Sequence, residues 1–261
     1  MKIKKWIIGA ASVLSCIAAL PAQAADLLDE ITSRGTLRVA VPTDYPPFGF
    51  VGPDMKAQGL DVEMANLIGQ KLGVKVELVP VTAPNRVPYL QTGKTDLTIS
   101  SLGKTAERAQ VIDFSIAYAP FFDAIFGAKG STAKTYDELS SKEIAVTRGS
   151  MQDQELKDLA PKAVVKRYED NSSTISAFLS GQTEFFASGT PVAAALTQRN
   201  PKLDMELKVV LANSPCYIGV RKDQPKLLAK VNDIIRESKK NGTLDRMSLH
   251  WMGAPAGDLP E

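Results

Sequence analysis

The residue best placed for chemistry is an arginine. Arg108 stands in Thr105-Ala106-Glu107-Arg108, where Thr105 suits the cap of a helix start. Free backbone N–H groups and the helix dipole favour an anion there. A guanidinium at such a place grips a carboxylate through two parallel hydrogen bonds. The chemistry on offer is capture of an anion rather than bond breaking. Two Gly-Lys-Thr triplets, Gly93-Lys94-Thr95 and Gly103-Lys104-Thr105, imitate the end of a phosphate-binding loop. That motif needs an earlier glycine, at the places taken here by Pro88 and Thr98. Neither a Gly-x-Ser-x-Gly elbow nor a His-Glu-x-x-His helix occurs, so the commonest hydrolase signatures are missing. The single histidine, His250, is expected at the surface or at a helix end, and no Cys/His cluster suggests a zinc site.

The elements that must position such residues alternate along the chain. Leu37 to Val41 reads as a strand. An amphipathic helix over Asp61 to Leu72 follows, with Leu60, Met64, Leu67, Ile68 and Leu72 on one face. Asp61 is expected to cap it and Gly73 to stop it. Val74, Val76 and Leu78 alternate with polar residues in strand fashion. Pro88 to Thr92 is a short helix, Asp96 to Ser100 a strand, and Thr105 opens the turn that carries Arg108. Further on, Glu143 to Thr147 reads as a strand and Ser150 to Leu159 as a helix with a Ser150-x-x-Asp153 capping box. Thr174 to Ser180 is helical, Glu184 to Ala187 a strand, and Thr190-Pro191 a helix start. Cys216 to Val220 is a strand, followed by helices over Pro225 to Lys240 and up to Trp251. This order implies βαβ units and parallel sheets, with ligands expected at the carboxyl ends of strands.

The amino terminus is an export signal. Lys2, Lys4 and Lys5 precede an apolar run from Trp6 to Leu20, and Ala22-Gln23-Ala24 is the pattern signal peptidase cuts. The run is too short for the roughly 20 apolar residues of a spanning helix, and it continues past Cys16, which suits an export signal better than a lipidation site. Cleavage after Ala24 leaves 237 residues with 28 basic and 29 acidic side chains. A net charge of about −1 argues for neither a nucleic acid nor an anionic surface as partner. Cys216 is then the only cysteine, so no internal disulfide is expected. The mature length is comfortable for two lobes of about 100 residues each.

One stretch says more than periodicity does. Gly59-Leu60-Asp61-Val62-Glu63-Met64-Ala65-Asn66-Leu67-Ile68-Gly69-Gln70-Lys71-Leu72, with Thr105-Ala106-Glu107-Arg108 and Asp113-Phe114-Ser115 after it, resembles the periplasmic amino-acid-binding proteins of ABC importers. An amphipathic helix explains the apolar spacing but not the paired acids or the Thr-x-Glu-Arg. The closing Trp251-Met252-Gly253 is similar to the family's Trp-Phe-Gly ending. The resemblance implies an α/β, two-lobed periplasmic-binding-protein-like fold (type II), each lobe a mostly parallel sheet flanked by helices. It implies lobe 1 from residues 26–120 plus 217–261 and lobe 2 from 121–216, joined by hinges at Tyr118 to Ala124 and Asn213 to Tyr217. It also implies a monomer that closes around a small solute without chemistry or cofactor, and an inner-membrane permease as partner. A few relatives on this scaffold are dehydratases, which need an acid or base in the cleft.

The site implied by the resemblance lies between the lobes. Arg108 matches the arginine that holds the ligand's α-carboxylate, and Tyr45 matches the aromatic that covers its side chain, with Phe48 left to the core. Ser101 and Gly103 match strand-end positions, although Gly103 replaces the usual threonine. Thr147, Ser150 and Met151 lie where the second lobe closes onto the carboxylate. Ser188-Gly189 stands before Thr190-Pro191, where the family places an ammonium-binding aspartate. Asn85-Arg86-Val87-Pro88 resembles the aspartate- and glutamate-binding branch, with Arg86 available to a second carboxylate. Two arginines without an acidic counterpart imply an acidic amino acid, its ammonium met by carbonyls, hydroxyls or Asp44, or else a carboxylate lacking an amine.

Overall fold

A computed structural model describes residues 26–261, so the export signal at residues 1–24 lies outside the described residues. The chain opens with α1 (Leu27–Arg34) and β1 (Thr36–Val41). A small antiparallel sheet follows, made of β2 (Asp44–Tyr45), β3 (Gly49–Val51) and β4 (Ala57–Gln58). Next come α2 (Leu60–Leu72), β5 (Lys75–Pro80), α3 (Arg86–Gln91), β6 (Leu97–Leu102), α4 (Ala106–Val111) and β7 (Ile112–Ala119). Strand β8 (Phe122–Ala128) leads into the second lobe. There the chain runs β9 (Glu143–Thr147), α5 (Met151–Leu159), β10 (Val164–Tyr168), α6 (Asn171–Leu179), β11 (Phe185–Gly189), α7 (Thr190–Arg199) and β12 (Met205–Asn213). Strand β13 (Cys216–Arg221), α8 (Pro225–Lys240) and α9 (Thr243–Met252) close the chain.

Each lobe is built on one five-stranded sheet, ordered β5-β1-β6-β13-β7 in the first and β10-β9-β11-β8-β12 in the second. The βαβ connections make β5, β1 and β6 parallel, and likewise β10, β9 and β11. The strands through which the chain crosses between lobes, β7, β8, β12 and β13, add antiparallel pairs. Only Pro120-Phe121 and Ser214-Pro215 separate the crossing strands, and the Ser214 amide donates to the Phe121 carbonyl at 2.9 Å. Cys216, buried, already pairs with Ala119 in the first sheet.

Burial follows the periodicity. Leu60, Met64 and Ile68 of α2 pack on Leu37, Val39, Leu97 and Ile99, while α8 adds Leu227, Val231, Ile234 and Ile235. The second core gathers Ile144, Val146, Leu156 and Phe185 around β8 and β9. Gly73 ends α2 in the left-handed region at φ 69°, as expected of a C-terminal glycine.

Three local expectations are corrected. Asp61 does not cap α2: the cap is Gly59 at φ 125°, and the first amides of the helix are met by main chain, Leu60 N donating to Pro47 O and Asp61 N to Phe48 O. That close approach excludes a side chain, because a Cβ on Gly59 would lie 2.2 Å from the Phe48 carbonyl oxygen. Helix α6 starts at Asn171 rather than Thr174, since Asp170 Oδ1 accepts the Ser173 amide and fixes an earlier first turn. Ser150 does cap α5 through the Asp153 amide, but the Asp153 carboxylate takes the Gly149 amide and Arg167 instead of closing a reciprocal box. His250 lies exposed in the last turn of α9.

Candidate ligand-binding cleft

The cleft is built around a strained strand end. Ser101 on β6 has φ 41°, a region that costs a non-glycine residue roughly 1–3 kcal/mol and persists only where neighbours enforce it. Asp61 is one enforcer: Oδ2 accepts the Ser101 amide at 2.8 Å and Oδ1 accepts the Tyr118 hydroxyl at 2.5 Å. Arg86 is the other, its Nη1 donating to Ser100 O at 2.8 Å and Ser101 O at 3.4 Å. Burial pushes Asp61 up to about 6, although both hydrogen bonds pull it down. The acid that amphipathicity left unexplained holds the floor of the cleft.

Above this floor the lobes meet. Ser101, Arg86, Tyr45, Ser150 and Met151 line one small cavity of about 30 Å³, together with Phe121, Asp123, Gln152, Asn171 and Ser214. Five expected residues therefore converge, and five do not line the cavity. Arg108 is buried beside it, with Nη1 on Gly103 O at 2.8 Å and Nη2 reaching across the cleft to Gly149 O at 3.0 Å. Gly103 has no room for the family's threonine, because a Cβ would meet Met151 Cγ and Ser214 Oγ at 2.7 Å. Thr147 holds Asn171 Oδ1 at 2.9 Å and Thr174 Oγ1 at 2.8 Å, so it positions a lining residue. Ser188 Oγ meets the Tyr45 hydroxyl at 3.1 Å. Gly189 is covered by Phe121, whose ring would lie 2.1 Å from an added Cβ, so the position offers no place for an aspartate. Phe48 is fully buried between Tyr45 and Phe121, as expected of a core residue.

Asp44 is also placed differently from expectation. Its carboxylate accepts the Asn171 and Ser172 amides at 2.8 and 3.1 Å and the Asn171 side-chain amide at 3.0 Å, closing the lobes over the start of α6. It is therefore turned away from any ammonium in the cavity.

Sequence reasoning missed Asp123. It interrupts the apolar run Phe121-Phe122-Asp123-Ala124-Ile125-Phe126, and a lone acid in a buried strand was the available signal. Its Oδ1 accepts the Gln152 side-chain amide, while its Oδ2 is buried without a donor among the described residues. Burial first and the facing Glu155 second raise its pKa, and burial raises Glu155 as well. Burial lowers both cleft arginines, Arg108 to about 10, with Arg86 adding like-charge repulsion. Among the described residues no cluster of metal ligands occurs, and no helix is long and apolar enough to cross a membrane.

Known proteins share this fold. A family described as bacterial extracellular solute-binding proteins, family 3, matches residues 37–254. The L-cystine-binding protein TcyJ of Escherichia coli strain K12 is 29% identical over 230 residues, covering 87% of this chain and 86% of that protein. A mutant of ArgBP from T. maritima superposes with a TM-score of 0.81 at 32% identity, over 87% of this chain and 99% of that one. The ancestral amino acid-binding protein AncCDT-1, described as a precursor of cyclohexadienyl dehydratase, superposes with a TM-score of 0.79 at 34% identity, over 87% and 100% of the two chains. With two α/β lobes meeting over a buried cleft and a family match across most of its length, the chain belongs to family 3 of the bacterial extracellular solute-binding proteins, the solute-binding components of amino-acid ABC importers.

Proposed function

We propose that the chain captures a polar α-amino acid between its lobes in the periplasm and presents the closed form to an inner-membrane ABC permease. One observation carries this reading. Among the described residues the buried guanidiniums of Arg86 and Arg108 hydrogen-bond only to backbone carbonyls, so neither is hydrogen-bonded to a carboxylate. A buried charge without a directly bonded counter-charge is costly, and a ligand carboxylate supplies one. Export by the amino-terminal segment and action as a monomer complete the reading.

An acidic amino acid is its finer form, with the α-carboxylate on Arg108 and a side-chain carboxylate on Arg86. The two arginines do have acids near them, contrary to expectation, because Asp123 lines the same cavity and Asp61 acts on Arg86. The acids in the cleft favour a zwitterion over a carboxylate lacking an amine. TcyJ and ArgBP, named for cystine and for arginine binding, lend no support to an acidic side chain.

A thermal-shift panel of acidic, neutral and basic amino acids and small dicarboxylates tests the reading. A ligand at a hundred times its Kd stabilises the fold by about 2.7 kcal/mol. Arg108→Ala should abolish the shift in a folded protein, since losing a charge-assisted contact costs about 2–5 kcal/mol. Near-native affinity in that variant, or shifts from amine-free carboxylates alone, would overturn the reading. Selective loss of aspartate and glutamate in Arg86→Ala supports the acidic form.

A dehydratase-like enzyme is the second reading, and the raised carboxyl pair Asp123–Glu155 favours it, since general acid–base chemistry needs such a group. We infer capture without turnover. Ligand recovered unchanged by mass spectrometry after long incubation is the expected result, and product growing with protein concentration would make the chain an enzyme.

A further inference from the structure

We propose that Asp123, backed by Glu155, is the subsite that receives the ligand's ammonium group, and that the ligand displaces a proton which the two carboxyls share. This inference rests on the amino-acid reading above and extends it to a residue outside the motif. Asp123 is fully buried, lines the cavity, and has one oxygen already engaged by Gln152. Its second oxygen lacks a donor, and so does Glu155 Oε2. Neither arginine lies within ion-pairing distance of it, although Arg86 lines the same cavity and Arg108 flanks it. An ammonium brings three donors and a positive charge, which is what the orphaned oxygen lacks. The usual acid position before Thr190 is closed by the Phe121 ring, so the acid arrives from β8 instead.

The step balances in charge and atoms. Without ligand, the two carboxyls hold one proton and one negative charge, as buried like charges in contact do. Binding of R–NH₃⁺ leaves both ionised, with the ammonium on Asp123 and one H⁺ released to solvent. The charged and titratable groups acting on Asp123 are Glu155 on α5, Arg108 on α4 and Arg86 on α3, with Tyr45 on β2 and Cys216 on β13 influenced by it in turn. Both arginines oppose retention of the proton and Glu155 favours it. The ligand binds the deprotonated pair, so affinity rises with pH up to the pair's own titration and levels off above it.

Calorimetry of the intact protein, in buffers of different ionisation enthalpy at pH 6 to 7, tests this with the best amino acid from the panel. The expected release is about one proton per ligand. Glu155→Gln should keep binding while losing the release and the pH dependence. Asp123→Asn should weaken the amino acid about tenfold or more, whereas its amine-free analogue should bind no worse than to the wild type. Tight amino-acid binding by the wild type with no proton released, or unweakened binding in a folded Asp123→Asn, would overturn this proposal alone. If no amino acid binds the wild type, the broader reading fails with it.

Discussion

At the scale of residues, Asp61 ties stability to pH. Its folded pKa of about 6 lies above the ordinary 3.8, chiefly through burial. Between those values the folded protein binds more protons than the unfolded chain, so stability falls as pH rises from about 4 to 6. The shift corresponds to at most about 3 kcal/mol. Urea unfolding of wild type against Asp61→Asn across that range should show the wild type losing stability and the variant losing less. Identical slopes would remove Asp61 as the cause. The Asp123–Glu155 pair works in the same direction at higher pH, which is why the comparison is made between variants. The two acids also mark what sequence reveals. Arg108 was legible because its cap, Thr105, lies three residues away. The partners of Asp61 and Asp123 lie tens of residues off, on β6, β7 and α5, and no local spacing encodes them.

At the scale of elements, helices with a sharp apolar face or a proline start were readable. The ranges of α8 and β9 match expectation residue for residue, and α2, α5 and α7 begin within a residue of it. Of the crossing and edge strands, β5 and β13 were readable, while β7, β8, β10 and β12 were not. β12 pairs along one side only and shows irregular burial, and Tyr118 to Ala124, spanning the end of β7 and the start of β8, reads as a hinge because the pairing partners β13, β11 and β12 lie far along the chain. Gly59 explains why the cap of α2 was misassigned, since its role depends on the distant carbonyl of Phe48 rather than on a side-chain cap. Gly59→Ala should therefore cost more than a helix-propensity change, about 1–3 kcal/mol. Chemical denaturation measures this, and a neutral substitution would show that the loop simply moves aside.

At the scale of the whole molecule, the lobes leave little room between them. A cavity of about 30 Å³ accommodates roughly two water molecules, so an amino acid enters only when the lobes separate. The Asp44 contact with α6 sets part of that balance, because an anion at a helix start stabilises by about 0.5–2 kcal/mol and this one belongs to the opposite lobe. Asp44 does not line the cavity, so its effect on binding runs through closure. Asp44→Ala should weaken apparent affinity by about twofold to thirtyfold and raise the ligand-free radius of gyration in X-ray scattering. Unchanged affinity and dimensions would show that the contact is incidental. Cys216 turns the same motion into something countable. It is the only cysteine among the described residues, and it is almost wholly buried where the chain re-enters the first lobe. A maleimide reaches that thiol only while the crossing strands loosen. Labelling of the unaltered protein thus becomes a stopwatch for breathing of the hinge, slowed as ligand holds the cleft shut, with no reporter to engineer.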